Sequence, residues 1–134
     1  MHRVFVYGSL KRGLENHHLL GTAEFAGKAV TAAPFRMMDG PYPVLREGDD
    51  RGRKVSGELY KVDDRTLEVL DDLEGVAERL YDRVEIDVVM TEGSRPLRAF
   101  VYIGCAEHWD RKPRSSFLTR NSDGHLEWTP PQSR

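Results

Sequence analysis

Residues Tyr81 to Met90 alternate between apolar and charged side chains: Val84, Ile86 and Val88 against Arg83, Glu85 and Asp87. A period of two places the apolar set on one face of a strand and the charged set on the other. Thr91-Glu92-Gly93-Ser94 then reads as a turn, and Leu97 to Ile103 returns as a second strand centred on Phe100, Val101 and Tyr102. Strands joined by so short a link pair antiparallel, because a parallel pair needs a crossover of a dozen or more residues. This hairpin commits the second half of the chain to antiparallel sheet.

The other segments are consistent with that commitment. Val4 to Tyr7 is β-branched or aromatic throughout, as a buried strand prefers. Val55 to Val62 is a further strand, with Val55, Gly57 and Leu59 on one face and Ser56, Glu58, Tyr60 and Val62 on the other. Asp63 or Asp64 can cap a helix over Asp64 to Glu74, and Gly75 is its natural stop. Weaker strands are read at Thr22 to Val30, Pro34 to Met38 and Tyr42 to Arg46, where Pro43 argues for an edge. Leu14 to Leu20 has room for one helical turn. From Glu107 the pattern fades, leaving Trp109, Phe117, Leu118, Leu126 and Trp128 as isolated anchors in a polar tail packed over the domain. The expected fold is α+β: a single domain over residues 1–134, with a mixed, largely antiparallel, barrel-like sheet and few helices.

Composition narrows the function. Lys and Arg number 20 and Asp and Glu 22, for a net charge of -2, so no basic field exists for nucleic acid or anionic membrane. The cluster Arg111-Lys112-Pro113-Arg114 reads as a solvated loop. One cysteine, Cys105, forbids an internal disulfide and fits a reducing compartment. The opening apolar run ends at Gly8 and no run approaches membrane length, so a cytoplasmic protein is expected.

Two stretches carry chemistry. In Val4 to Gly13 the strand runs into Gly8-Ser9-Leu10, where backbone N–H groups released from the ladder can converge on an anion or a charged oxygen. An ordinary strand followed by a turn would read the same way. In the helix, Leu67, Leu70 and Glu74 lie at i, i+3 and i+7 on one face, while Glu68 and Asp72 face away. A carboxylate beside core leucines at a helix C-terminus is disfavoured in its charged form, which suits a general acid/base near neutral pH. The competing reading leaves Glu74 at the rim of the stripe, in water. Donors at a strand end and one acid/base carboxylate at a helix end fit proton transfer at a carbonyl.

Other chemistries fit less well. His17-His18 lacks the H-E-x-x-H arrangement, so no metal site is expected. Gly21 to Lys28 has five residues between its glycines and Ala29 where a phosphate loop requires Ser or Thr. Ser9 is not in a nucleophile elbow, because Lys11 holds the place of the last glycine. Cys105 and the five tyrosines read first as core or core-edge residues.

Tyr7-Gly8-Ser9-Leu10-Lys11, Asn16-His17, Pro41-Tyr42-Pro43, Gly57-Glu58-Leu59-Tyr60, Leu70-Asp71-Asp72-Leu73-Glu74, Leu80-Tyr81-Asp82-Arg83 and Phe100-Val101-Tyr102 occur in that order. The ordered set, over roughly residues 3 to 104, resembles the γ-glutamylcyclotransferase-like family, and within it the γ-glutamylamine cyclotransferase and AIG2-like branch. The resemblance implies a small barrel-like fold and a cavity between the loop and a catalytic glutamate. On that basis Glu74 matches the catalytic carboxylate. Tyr7, Gly8, Ser9 and Leu10 match the loop that holds the glutamyl or 5-oxoproline group, and Tyr81 and Tyr102 match further substrate-binding positions. The implied reaction is release of 5-oxo-L-proline from a small-molecule substrate, an L-γ-glutamyl amine or γ-glutamyl amino acid, by intramolecular attack of the α-amine on the γ-carbonyl, with Glu74 as general acid/base and no cofactor. Two other readings stand beside it: a non-catalytic, small-molecule-binding or regulatory AIG2-like protein, and an interaction module using the tail from Trp109 to Trp128.

Overall fold

The structure, a computed structural model, describes residues 1–8, 10–11, 17–21, 23–38, 44–47, 52–93, 95–104, 118–120 and 125–128. Ser9, Gly13, Asn16, Pro41, Tyr42, Pro43, Cys105, Glu107, Trp109, the Arg111 to Arg114 cluster and Phe117 lie outside them. In chain order the elements are β1 (His2–Val6), a 3-10 turn (His17–Leu20), β2 (Glu24–Thr31), β3 (Phe35–Met38), β4 (Val44–Glu47), β5 (Ser56–Val62), α1 (Asp64–Leu73), β6 (Tyr81–Met90), β7 (Pro96–Gly104), β8 (Leu118–Arg120) and β9 (Leu126–Trp128).

The hairpin read from the alternation is present: β6 and β7 pair antiparallel from Tyr81↔Gly104 to Val89↔Pro96. It belongs to a closed, barrel-like ring in the order β1-β5-β2-β6-β7. The pairings are antiparallel except for β1 with β7, where a parallel contact at Val4↔Phe100 closes the ring. The expected mixed, largely antiparallel sheet is therefore observed. β3 pairs with β4 apart from this ring.

A closed ring has an inside and an outside, and the two faces of β1 and β5 go to different places. Phe5, Tyr7, Ala29, Leu59, Val88, Ala99 and Val101 belong to one buried cluster, filling the ring. Val4, Val6, Tyr60, Val62, Tyr81 and Tyr102 belong to a second, with Leu67 and Leu70 of α1 and Leu20 of the 3-10 turn over them. Both faces of β1 are thus apolar because one fills the ring and the other lies under the helix. Gly57 makes the first packing possible. A Cβ there would stand 2.4 Å from the Val6 carbonyl and 2.7 Å from the Phe5 ring.

The helix boundaries follow local chemistry. Asp63 accepts a hydrogen bond from the Thr66 N–H at 2.7 Å, capping the first turn. At the other end Glu74 is the C-cap. The Gly75 N–H donates to Asp72 at 3.2 Å and the Val76 N–H to Asp71 at 3.1 Å, with Gly75 at φ +63°. This is the Schellman arrangement, and its left-handed residue is the expected glycine.

The tail departs from expectation. Leu118, Leu126 and Trp128 are not isolated anchors but parts of a two-stranded sheet, β8 with β9. Leu126 is tied to the ring by its N–H, which donates to the Lys54 carbonyl at 2.9 Å, and by a parallel bridge to Val55. Strands of three residues are too short to show a period.

Replacing Gly57 by Ala should lower stability by about 1–3 kcal/mol, since the added methyl meets backbone and ring in a filled interior. Urea unfolding checks this; an unchanged midpoint would mean that the close approach of β1 and β5 is not needed.

Candidate active site

Tyr7 directly follows β1, and it is buried. Its hydroxyl donates to the Tyr102 carbonyl on β7 at 2.7 Å, so the start of the loop is fastened to the far strand of the parallel contact. The Gly8 carbonyl accepts from the Lys11 N–H at 3.0 Å, turning the chain immediately after the strand. Leu10 is buried in the same cluster as Leu70, Tyr81 and Tyr102. Its carbonyl is 3.0 Å from His17 Nδ1, and since a carbonyl only accepts, Nδ1 carries the proton. The histidine weighed for a metal therefore braces the loop, with its ring 5.8 Å from that of Tyr60.

Lys11 follows the loop and is also buried. Burial pushes its ammonium down, an effect opposed by the charges of Glu127 and Glu58. Glu127 lies on β9, so the C-terminal hairpin contributes to the electrostatics of the loop.

Glu74 sits at the helix C-cap, partly buried. Burial pushes its carboxyl up from the ordinary 4.5 to about 7. The side chain on the leucine face is therefore the one that does not behave as a surface carboxylate. Two phenols feel it. Burial first, and then the charge of Glu74, push the Tyr81 hydroxyl above its usual range. Burial, the hydrogen bond to Asp71 and the charges of Asp71 and Glu74 do the same to Tyr102, with Arg83 opposing. Both hydroxyls stay protonated at neutral pH, beside a carboxyl poised between its two forms.

The structure thus brings Tyr7, Leu10, Tyr81, Tyr102 and Glu74 into one region, and Gly8 joins the first two; Ser9 lies outside the described residues. The sequence reading gave no role to Asp71 and Arg83. The Tyr102 hydroxyl donates to Asp71 Oδ1 at 2.7 Å, and Arg83 donates to Asp71 Oδ2 at 2.8 Å. The available signal was position: Asp71 stands three residues before Glu74 on the helix, and Arg83 lies opposite Tyr102 in the hairpin register.

Among the described residues, no three of His, Cys, Asp and Glu are placed to share a metal ion. None of their helices is long and apolar enough to cross a membrane. A groove of about 680 Å³ opens near the start of β1, between His2, Lys61 and Arg98, and contains none of the candidate residues. Its walls are bridged by ion pairs of Lys61 with Glu24 at 3.5 Å and Arg98 with Glu85 at 3.6 Å.

Comparison with known proteins gives this region a context. A family model described as gamma-glutamyl cyclotransferase, AIG2-like, matches residues 4–121, which contain all the candidate residues and extend past Cys105. The chain is 38% identical over 107 residues to a gamma-glutamylaminecyclotransferase of Bos taurus, covering 74% of this chain and 63% of the bovine protein's length. It is 36% identical over 141 residues to gamma-glutamylaminecyclotransferase C of Danio rerio, covering 95% of this chain and 92% of that one. The crystal structure of an AIG2-like protein from Mus musculus, 31% identical, superposes with a TM-score of 0.72 over 100% of this chain and 99% of that one. The chain therefore belongs to the AIG2-like gamma-glutamyl cyclotransferase family of enzymes.

Proposed function

We propose that this protein releases 5-oxo-L-proline from an L-γ-glutamyl amine, with Glu74 as the general acid/base. The observation that carries the reading is the carboxyl of Glu74, pushed to about 7 by burial in the region where the β1 loop and the tyrosines meet. A group with that proton affinity is ionised often enough to take a proton and protonated often enough to return one.

Glu74 takes a proton from the substrate α-ammonium. The freed amine attacks the γ-carbonyl carbon of the same molecule, closing a five-membered ring and placing negative charge on the carbonyl oxygen. The bond from that carbon to the departing nitrogen then breaks, and Glu74 delivers its proton to that nitrogen. The second proton of the ring nitrogen passes to the departing amine, so the products are 5-oxoproline and the amine as its ammonium ion, and Glu74 ends ionised, as it began. Because nucleophile and electrophile share one molecule, the main task is to hold the reactive conformer. Tyr7, Gly8, Ser9 and Leu10 take the glutamyl group in this scheme, with loop amides on its α-carboxylate or on the developing oxyanion. Tyr81 offers a protonated hydroxyl beside Glu74. The O–H of Tyr102 is engaged by Asp71, so Tyr102 bounds the site through its ring and phenolic oxygen.

Purified protein incubated with a panel of γ-glutamyl amines, γ-glutamyl-ε-lysine among them, should yield 5-oxoproline. Glu74→Gln should fold yet lose about 10²–10⁴-fold in kcat. Tight 5-oxoproline binding with no turnover, unaffected by Glu74→Gln, would instead support a binding protein. The acid limb of the rate gives a second check. Below the folded pKa, Glu74 is protonated and cannot accept the α-ammonium proton, so log kcat/KM should rise with pH and level off near 7. A plateau reached near 4.5 would remove the raised carboxyl from the rate.

A further inference from the structure

We propose that Asp71 and Arg83 are positioning residues for Glu74: with the Tyr102 hydroxyl they clamp the last turn of α1 to the β6–β7 hairpin, and so set the separation between Glu74 and the loop after β1. The inference rests on the proposed role of Glu74 and adds the residues that hold it in place.

Helix ends fray, and Glu74 is the cap residue, so its carboxyl goes where the last turn goes. Within α1, apolar anchoring ends at Leu70. Leu67 and Leu70 are buried, whereas Leu73, in the last turn, is 40% exposed. Among the described residues, Asp71 makes the polar contact from the last turn to the sheet, and it uses both carboxylate oxygens. One accepts from the Tyr102 hydroxyl at 2.7 Å and the other from Arg83 Nη1 at 2.8 Å. The guanidinium is also held by the Phe100 ring, 4.7 Å from its centroid. Arg83 and Tyr102 are direct partners across the hairpin, so the carboxylate grips two adjacent strands at once.

A nearby pair supplies the contrast. Arg98 reaches Asp87 at 3.4 Å on the same hairpin, but its side chain is 60% exposed and that of Asp87 50% exposed. Such a pair contributes little. Arg83 and Asp71 are 29% and 27% exposed, closer together, and joined by a buried tyrosine. The connection continues to the loop, because the carbonyl of Tyr102 accepts the hydroxyl of Tyr7. From Glu74 to Gly8 the path runs through the last turn, Asp71, Tyr102 and Tyr7 without a break.

The test compares Asp71→Ala, Asp71→Asn and the wild type by amide hydrogen exchange and by steady-state kinetics. In Asp71→Ala, exchange at the Glu74 N–H, which donates to Leu70 at 2.9 Å, should speed up by about tenfold or more relative to the Leu67 N–H in the first turn. In the same variant kcat should fall about 10–100-fold while KM stays within about twofold. Asp71→Asn keeps an acceptor for Tyr102 and should recover part of both losses. Unchanged protection at Glu74 would overturn the proposal. So would lost protection with undiminished kcat at a temperature where the variant is folded, or a rise in KM at constant kcat. If the wild type yields no 5-oxoproline, it is the proposed reaction that fails, and the exchange comparison decides the clamp by itself.

Discussion

Tyr102 joins the two halves of the site. Its carbonyl accepts from Tyr7 at 2.7 Å, fixing the residue at which β1 gives way to the loop. Its hydroxyl donates to Asp71, also at 2.7 Å, fixing the last turn of the helix. Both bonds converge on a single residue, so loop and helix end are placed relative to the same point on β7. The proposed proton transfer needs this, because the loop and the helix end are far apart in sequence and must be held in a fixed geometry.

Burial leaves the proton affinity of Glu74 high. An unpaired cation close to a carboxylate stabilises the ionised form and draws the pKa down. Arg83, which interacts with Tyr102, is engaged by Asp71 and the Phe100 ring. Tyr81 and Tyr102, both held protonated, feel the charge of Glu74, and burial pushes its carboxyl up to about 7. The ring of strands contributes an apolar floor beneath α1, formed by Val4, Val6, Tyr60 and Val62, and packing inside the ring keeps that floor in place.

What the sequence disclosed was local. The alternation in Tyr81 to Met90 specified a strand because one face is buried in the ring and the other is not. Asp63 and Gly75 specified the helix ends because capping needs a side-chain acceptor at one end and a left-handed residue at the other. Glu74 stood out because Leu67 and Leu70 share its face. What stayed hidden was non-local. No pattern within β1 or β7 announces the parallel contact of Val4 with Phe100 that closes the ring. Arg83 and Arg98 look alike in the alternating strands, and only folding shows that one meets a partly buried carboxylate and the other faces water. β8 and β9 escaped because three residues cannot display a period, and their attachment to Lys54 and Val55 spans some seventy positions.

The central claim is that Glu74 holds its proton far more tightly than a surface glutamate does, and it can be measured without substrate. With ¹³C-labelled glutamate, the side-chain carboxyl resonance of Glu74, assigned by its loss in Glu74→Gln, can be followed across a pH titration. A midpoint near 7 is the predicted result. A midpoint near the ordinary 4.5 of a glutamate carboxyl would contradict it.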